Sequence, residues 1–366
     1  MIIGVLKETL PGERRVALVP SACLQLSKQG HAVHVEQGAG LAAGFDDAAY
    51  QTAGATVASR SEVIAAAATI IRVAVPSPAE IAEMRSGTSV VSYIYPKRHR
   101  NVLDALAAQG VNAFALDAMP RITRAQSMDV LSSQNNLAGY KAVILGANSL
   151  GRIFPLMMTA AGTVTPAKVL IYGAGVAGLQ AIATAKRLGA RIEVSDIRPE
   201  TKEQVESLGG KFIMVEGLDK VNIEGGYVAS VSPEILAKQK EAVEKSLVEA
   251  DLVITTALVA GGTAPTLITA AQVGKMKRGS VIIDMATEAG GNCELSKPDE
   301  TVEHNGVTII GCNNLASSVP THASELYAKN VTTFLAAVTK PEGFTFDLAD
   351  EVVAATLVTY NKEVRA

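Results

Sequence analysis

A glycine-rich turn between an apolar segment and an amphipathic segment constrains this chain more than any other feature. The motif Gly173-Ala-Gly175-Val-Ala-Gly178 follows the predicted strand Lys168–Tyr172 and precedes the predicted helix Leu179–Leu188. In that context the first glycine permits a tight turn, the second lets a pyrophosphate approach the backbone, and the third lets the helix pack on the strand. The helix N-terminus then faces the anion. The pattern predicts a dinucleotide-binding unit.

An acidic residue stands where such a unit binds the adenosine ribose. Asp196 follows the predicted strand Arg191–Ser195 and lies 18 residues after Gly178. A carboxylate at this position accepts hydrogen bonds from the ribose hydroxyls and repels a 2′-phosphate, which predicts NAD(H) rather than NADP(H). Arg198 leaves the opposite preference open, because an arginine there can pair with a 2′-phosphate. A glycine turn with an exposed Asp is the structural alternative.

Later segments add candidates at the same edge of the predicted sheet. The strands near Asp251–Thr256 and Ser280–Met285 end there, so residues 255–257, Asp284 and Glu288 are candidates to line the cofactor crevice. The long connection Glu216–Ser232 predicts a lid that closes through Tyr227, with a plain surface loop as the alternative. The predicted cofactor-binding set is Gly173, Gly175, Val176, Ala177, Gly178, Asp196, Ile197, Arg198, Gly226, Tyr227, Thr255, Thr256, Ala257, Leu258 and Glu288.

Strand-like and helix-like segments alternate along most of the 366 residues, which is typical of parallel sheets covered by helices. The predicted fold class is α/β, with two Rossmann-like domains. The register changes near residue 132, and the tail Ala323–Ala366 looks mainly helical. We therefore expect residues 1–131 with 323–366 to form a discontinuous first domain, and residues 132–322 to form the NAD(H)-binding domain.

Composition excludes several function classes. Lys and Arg total 33 against 36 Asp and Glu, and aromatic residues make up 4% with no tryptophan. The chain thus lacks the basic surplus and the rings that bind nucleic acid, and no nucleic-acid partner is expected. No apolar run reaches the roughly 18–20 residues of a spanning helix. The 3 cysteines and 5 histidines fall outside metal-ligand spacing, so no metal site is predicted and a reducing compartment is expected.

One polar stretch carries a specific resemblance. Residues 121–140 read Arg-Ile-Thr-Arg-Ala-Gln-Ser-Met-Asp-Val-Leu-Ser-Ser-Gln-Asn-Asn-Leu-Ala-Gly-Tyr. This stretch resembles the NAD(H)-binding component, the first domain of the alpha subunit, of proton-translocating nicotinamide nucleotide transhydrogenase. The similarity extends over nearly the whole chain. Further matching segments are Lys7-Glu8, Glu13–Ala17, Gly173–Gly178, Glu203–Phe212, Gly225–Tyr227 and Glu288–Asn292.

The resemblance implies roles for single residues. Arg121, Gln126 and Asp129 are expected to form the loop that holds the dihydronicotinamide and faces NADP(H) on a partner subunit. Ser132 is expected to contact the carboxamide, and Tyr227 to belong to a mobile loop. Direct hydride transfer between two nicotinamides needs positioning groups more than a general acid or base. A polar hinge between domains is the alternative interpretation of this stretch.

The resemblance also implies an assembly. NADH donates hydride to NADP⁺ on a separate subunit, and the transfer is coupled to proton movement through a membrane subunit. Because this sequence ends at Ala366 without a spanning segment, we expect the split type, in which those components are separate chains. A homodimer, peripheral on the cytoplasmic face of the inner membrane, is the implied form.

Two other functions stay open at this point. Alanine dehydrogenase shares this predicted fold, but oxidative deamination needs a lysine and a histidine at the ends of two strands. Ala74 and Tyr95 stand at those positions, with Lys97 and His99 nearby but out of register. A protein that only binds NAD(H), as a sensor or scaffold, is the third interpretation, and it leaves the polar set from Arg121 to Ser132 unexplained.

Overall fold

The structure of the protein is a computed structural model that describes residues 1–215, 223–224, 227–228, 233–258, 262–340 and 342–365, with backbone alone at 223–224 and 227–228. The chain divides into two compact units, Met1–Gln134 with Ala316–Ala366, and Asn135–Leu315. We call them unit 1 and unit 2 and describe each by itself. None of the described helices is long and apolar enough to cross a membrane.

Unit 1 begins with six strands that alternate with five helices. Their bounds are β1 (Ile2–Val5), α1 (Pro20–Lys28), β2 (Ala32–Glu36), α2 (Asp47–Thr52), β3 (Thr56–Ala58), α3 (Arg60–Ala66), β4 (Thr69–Ile71), α4 (Pro78–Glu83), β5 (Ser89–Ser92), α5 (Arg100–Gln109) and β6 (Asn112–Ala115). Serine side chains cap two of these helices, since Ser59 and Ser77 each form a reciprocal capping box with a glutamate. The long helix α6 (Val130–Ser149) then continues from unit 1 into unit 2.

Unit 2 contains a hairpin, the predicted alternating segments and a last antiparallel strand. Its elements are β7 (Met157–Thr159), β8 (Gly162–Val164), β9 (Lys168–Tyr172), α7 (Val176–Arg187), β10 (Arg191–Ser195), α8 (Thr201–Ser207), β11 (Lys211–Phe212), β12 (Ile223–Glu224), β13 (Tyr227–Val228), α9 (Pro233–Glu249), β14 (Leu252–Thr255), α10 (Ala270–Val273), β15 (Val281–Asp284), β16 (Thr301–His304) and β17 (Val307–Gly311). The sheet order is β11-β10-β9-β14-β15-β17-β16, and only β16 pairs antiparallel. The first six strands of that order follow the doubly wound dinucleotide-binding topology.

The C-terminal tail returns to unit 1. It forms α11 (Pro320–Val338), β18 (Thr339–Lys340), β19 (Gly343–Phe344), α12 (Glu351–Thr356), β20 (Leu357–Tyr360) and β21 (Glu363–Val364). The unit 1 sheet has the order β21-β20-β6-β5-β4-β1-β2-β3, with β1–β6 parallel and the two tail strands antiparallel. The tail therefore supplies two edge strands as well as the expected helices.

The α/β class with two Rossmann-like domains is confirmed, and the unit boundaries lie near the expected ones. We expected changes at 131/132 and 322/323, whereas the compact units change at 134/135 and 315/316. The first difference arises because α6 runs through the boundary without a break. The second arises because the short turn Leu315–Ser318 precedes α11 and already lies mostly in unit 1.

Both sheets are buried on their two faces. In unit 1, Ile71 and Val91 belong to one buried cluster while their strand neighbours Ile70 and Val90 belong to another. In unit 2 the same alternation separates Ile171 from Leu170 and Ile254 from Val253. Parallel strands covered by helices on both sides read as continuous apolar runs for this reason. Such strands hold their carboxyl ends rigidly, which is where the candidate residues lie.

Candidate functional site

The carboxyl ends of five unit 2 strands are in register. Their paired or successive last residues are Ser195, Tyr172, Thr255, Asp284 and Gly311. The predicted residues Gly173, Asp196 and Thr256 directly follow three of these ends. One edge of one sheet therefore carries the predicted glycine turn, the acidic residue and the threonine pair, as the sequence predicts for a cofactor crevice.

The three motif glycines each meet a different steric requirement. Gly173 has a φ of +96°, in the region that favours glycine. A Cβ on Gly178 would lie 1.9 Å from the Gly173 carbonyl oxygen, so no side chain fits there. Gly175 differs, because a Cβ built on it meets nothing within 4 Å. The space above Gly175 is open, and the backbone there is accessible to a bound group.

The N-terminus of α7 opens onto that space. Gly175 is the residue before the helix, and no side chain among the described residues caps it. The first amides of a helix without a capping side chain, together with the helix dipole, form an anion site. Val176 at the helix start is 36% exposed, while Ala177 is buried. The geometry fits a pyrophosphate over Gly175 and Val176, with Ala177 packed beneath.

Asp196 has a set of partners that the sequence did not predict. Its Oδ2 accepts a hydrogen bond from the Ala174 amide at 2.6 Å, and its Oδ1 accepts one from the Arg198 amide at 2.9 Å. The Arg198 guanidinium reaches both oxygens, through Nε at 3.0 Å and Nη2 at 2.8 Å. The two backbone bonds fix the carboxylate at the strand end. The guanidinium occupies the side of Asp196 on which a ribose would bind.

Buried side chains hold the loops that carry residues 255–257. Thr255 is fully buried, and its hydroxyl donates to Asp284 at 2.9 Å. Thr256 donates to the Tyr172 carbonyl at 3.0 Å. Ala257 is clamped by Asn292, whose Oδ1 accepts from the Ala257 amide at 3.1 Å and whose Nδ2 donates to the Ala257 carbonyl at 2.9 Å. The threonine hydroxyls thus support the crevice, and the Ala257 backbone lines it.

Asp284 organises the loop after β15. It is fully buried and accepts hydrogen bonds from the amides of Ala286, Asn292 and Cys293 and from the Ser296 hydroxyl at 2.6–3.0 Å. Glu288 lies in this loop and is exposed. Sequence reasoning named Glu288 but missed Asn292, which links the loop to Ala257. The signal was the polar residue directly after Gly290-Gly291.

Three exposed aliphatic side chains follow strand ends at this edge. Val176, Ile197 and Leu258 are 36%, 42% and 50% exposed. They follow β9, β10 and β14, which are neighbours in the sheet. Exposed apolar surface at a cofactor edge is suited to packing against the flat rings of a base. This supports their inclusion in the predicted cofactor-binding set.

The predicted lid lies mostly outside the described residues. Gly226 falls outside them, and Tyr227 is described in its backbone only. That backbone pairs antiparallel in a short hairpin, with Glu224 opposite Tyr227 and Ile223 opposite Val228. The contact between Tyr227 and a cofactor remains a prediction.

In unit 1 the predicted Arg–Gln–Asp loop forms a short 3₁₀ segment followed by α6. Thr123–Met128 is the 3₁₀ segment, and Arg121 and Gln126 are exposed. Asp129 lies directly before α6 and accepts from the Ser132 amide at 3.0 Å and from the Ser132 hydroxyl at 2.6 Å. These bonds make Asp129 an N-cap of the helix. The cap also fixes Asp129 and Ser132 relative to each other.

Contacts from the C-terminal tail hold this loop, and the sequence analysis did not predict them. Asn330 on α11 bonds to the Ser127 carbonyl and to the Ser133 hydroxyl at 2.8 and 2.7 Å. Arg124 forms a two-pronged ion pair with Asp350, the N-cap of α12. The partners are about 200 residues apart in the chain, for example 203 for Asn330 and Ser127. No local spacing rule reveals contacts of that range.

The strand ends that would carry amino-acid chemistry have different side chains. Ala74 is buried and supplies no amine. The ring of Tyr95 stacks on Tyr93, with centroids 5.5 Å apart and planes 9° apart. Arg15 is buried and paired through two hydrogen bonds with Glu13, at 2.6 and 2.8 Å. Its charge is therefore already neutralised within unit 1.

The described residues contain no group of three His, Cys, Asp or Glu side chains arranged to hold a metal ion. The three cysteines are free and buried. Burial raises the pKa of the Cys23 and Cys312 thiols to about 12, which keeps both protonated at neutral pH. They behave as small core residues rather than nucleophiles.

Known family domains match both halves of the chain. The alanine dehydrogenase/PNT N-terminal domain matches residues 4–138, and the C-terminal domain of the same description matches residues 142–366. The chain belongs to the alanine dehydrogenase/PNT family. The resemblance inferred from residues 121–140 is thereby confirmed.

Individual relatives divide this family into two kinds. The chain is 50% identical over 369 residues to the first of the separate chains of the NAD(P) transhydrogenase alpha subunit of Rhodospirillum rubrum, with 98% of this chain and 96% of that protein covered. It is 32% identical over 373 residues to the alanine dehydrogenase of Bacillus subtilis, with 100% and 92% covered. The crystal structure of transhydrogenase from Sinorhizobium meliloti matches with a TM-score of 0.92, 44% identity and 100% coverage of both chains. Within the alanine dehydrogenase/PNT family, this chain is thus a transhydrogenase alpha-subunit component.

Proposed function

We propose that this chain is the NAD(H)-binding subunit of a proton-translocating NAD(P)⁺ transhydrogenase. Hydride passes directly from NADH on this chain to NADP⁺ bound on a partner subunit, and the transfer is coupled to proton movement through a membrane subunit. The observation that carries the proposal is the 50% identity to a transhydrogenase alpha-subunit chain, which spans 98% of this chain and 96% of the relative. The assembly lies on the cytoplasmic face of the inner membrane.

Unit 2 supplies the cofactor site in this proposal. The α7 amides next to Gly175 bind the pyrophosphate, because that space is open and no described side chain caps the helix. Asp196 accepts from the ribose hydroxyls after Arg198 turns aside, and its charge disfavours a 2′-phosphate. Val176, Ile197 and Leu258 contact the rings. Tyr227 and Gly226 close over the site, and Glu288 lies at its rim.

Unit 1 supplies the residues that act in hydride transfer. When bound, NADH supplies the hydride from C4 of its dihydronicotinamide. Arg121 and Gln126 are exposed, so they can reach a second nicotinamide on a partner. Asp129 and Ser132 orient the carboxamide of the first. No proton leaves the substrate in a C4-to-C4 transfer, so these residues act by positioning, which is worth about 7–11 kcal/mol in well-oriented reactions.

Amino-acid dehydrogenation is the competing function, because an alanine dehydrogenase is 32% identical to this chain. The side chains disfavour it. Oxidative deamination needs a cation for the carboxylate and a group that moves a proton at the amino carbon. Ala74 supplies neither, the Tyr95 ring is stacked on Tyr93, and Arg15 is paired with Glu13.

A second copy of this chain completes the proposed assembly. The hairpin β7–β8 is exposed in every strand residue, and Met158 is 76% exposed. No charged residue occurs between Arg152 and Lys168. A two-stranded hairpin is marginally stable alone, and an uncharged apolar one is suited to an apolar partner such as the same hairpin of a second copy. We expect Met158→Lys to convert a dimer into a monomer in light scattering, with Lys202→Met as control. A dimer unchanged by Met158→Lys would remove this hairpin from the interface.

The function is tested by reconstitution. Membranes that carry the two other transhydrogenase subunits but lack this one receive the purified chain, NADH and an NADP⁺ analogue with a distinct absorbance. We expect analogue reduction only when the chain is present. A parallel cuvette contains the chain, NADH, pyruvate and ammonia. NADH oxidation in that cuvette alone would replace the transhydrogenase proposal with alanine dehydrogenase.

A further inference from the structure

One buried side chain of the C-terminal tail connects two segments of the Arg121–Ser132 loop region. Asn330 lies on α11 and is 8% exposed. Its Nδ2 donates to the Ser127 carbonyl at 2.8 Å, and its Oδ1 accepts from the Ser133 hydroxyl at 2.7 Å. The amide is fixed in this orientation because only its NH₂ group can donate to a carbonyl. Both ends of the Asn330 amide are therefore in use.

The two contacts lie on either side of Asp129. Ser127 directly follows Gln126 in the 3₁₀ segment Thr123–Met128, and Ser133 directly follows Ser132 in the first turn of α6. Asn330 thus holds the neighbour of Gln126 and the neighbour of Ser132 at a fixed separation. The Asp129 cap alone fixes only the helix side of this pair.

A second tail contact to the same loop is more exposed. Arg124 pairs with Asp350, and the two side chains are 48% and 22% exposed. An exposed ion pair contributes little to a fixed geometry, about 0–1 kcal/mol, because water and salt screen it. The buried Asn330 amide is the stronger of the two constraints, since a buried donor left without a partner costs about 1–3 kcal/mol.

We infer that Asn330 is a positioning residue for hydride transfer, which sets the distance between the Gln126 and Ser132 sides of the loop without touching either nicotinamide. The inference rests on the proposed function, in which those two residues act on different nicotinamides. A transfer that depends on proximity is sensitive to such a distance, since a displacement of about 1 Å costs about 100-fold in rate. Cofactor binding by the glycine edge of unit 2 does not depend on Asn330.

The test is Asn330→Asp in the reconstituted enzyme. This change keeps the acceptor for Ser133 and replaces the donor to Ser127 with a carboxylate oxygen that repels the carbonyl. We expect analogue reduction per NADH-binding site to fall at least tenfold, while the NADH dissociation constant, from quenching or enhancement of NADH fluorescence, stays within twofold. Thr333→Ala is the matched control, because Thr333 lies on α11 with an exposed hydroxyl bonded to its own helix. It should transfer hydride at the wild-type rate.

A purely structural Asn330 gives a different result. In that case Asn330→Asp lowers the unfolding temperature but leaves the rate per NADH-binding site within twofold of wild type, and the inference fails. If Asn330→Asp does not fold, Asn330→Ser, which buries no charge, is judged by the same two readouts. A wild-type chain that supports no analogue reduction overturns the proposed function itself and the inference with it. An active wild type with an active Asn330 variant overturns the inference alone.

Discussion

The two candidate half-sites are built in different ways. In unit 2 the anion site consists of backbone, because Gly173, Gly175 and Gly178 shape a turn that leads into the amides of α7. In unit 1 the site consists of side chains on a loop that Asn330 holds from the distant tail. The first kind depends on what cannot be present, namely a Cβ. The second depends on what must be present, namely particular polar atoms at particular distances.

This difference determines how each half-site responds to substitution. A backbone site tolerates changes in its neighbours and fails when one glycine gains a side chain. A side-chain site loses activity in steps, as single donors or acceptors are removed, while the fold remains. The following predictions test this contrast, and the largest expected effect comes first.

Gly178→Ala should abolish NADH binding and destabilise unit 2. The new Cβ would lie 1.9 Å from the Gly173 carbonyl oxygen, so the strand and helix must separate, at a cost of about 3 kcal/mol. The matched change is Gly175→Ala, whose Cβ meets nothing within 4 Å and which should keep the wild-type unfolding temperature while weakening NADH binding. Calorimetric titration and thermal unfolding measure both. Equal effects of the two changes would contradict the separate roles given to these glycines.

The same contrast explains what the sequence could predict. The glycine turn, the strand edge and Asp196 follow from local spacing, because strand, turn and helix are contiguous. The strands β20 and β21, the Asn330 contacts and the Arg124–Asp350 pair connect residues about 200 positions apart, for example 226 for the ion pair. The Arg198 guanidinium on Asp196 was also missed, although only two positions separate them, because spacing does not tell which way a flexible side chain turns.

Arg121→Ala should reduce hydride transfer about 100-fold and leave NADH affinity nearly unchanged. In the proposal Arg121 fixes a nicotinamide, whereas the glycine edge of unit 2 supplies most of the binding energy. Stopped-flow reduction of the NADP⁺ analogue and NADH fluorescence titration separate the two quantities. Arg100→Ala, an exposed arginine at the start of α5, is the control. A parallel loss of rate and affinity in Arg121→Ala would mean that the two half-sites are not distinct in function.

Arg198→Ala should raise the preference for NADH over NADPH about fivefold to tenfold. The change frees the Asp196 carboxylate for the ribose hydroxyls and removes a cation that can pair with a 2′-phosphate. It tests the one side-chain pair in a site built mainly from backbone. Arg191→Ala, an exposed arginine at the other end of β10, should leave the preference unchanged. The ratio of the two dissociation constants decides, and a lower ratio in Arg198→Ala would show that Arg198 supports NADH binding directly.

Buried carboxylates also distinguish the two units. Asp284 in unit 2 is held by amides and a hydroxyl, whereas Glu80 in unit 1 pairs with the buried Arg72 at 2.7 Å and accepts from Thr9 at 2.8 Å and from the Ser77 amide at 2.9 Å. Burial raises the pKa of Glu80, but the Arg72 guanidinium and the Ser77 amide outweigh burial and lower it to about 2. An ionised Glu80 therefore stabilises unit 1 at neutral pH.

Because the folded pKa lies below the unfolded value, this contribution is present above about pH 4.5 and is lost as the pH falls towards 2. Glu80→Gln should destabilise the protein at pH 6 by about 2 kcal/mol more than it does at pH 2.5. Urea unfolding at both pH values measures the difference, with the exposed Glu363→Gln as control. A destabilisation that is the same at both pH values would mean that Glu80 acts through shape and hydrogen bonding, as Asp284 does, and that the two units hold their buried carboxylates in the same way.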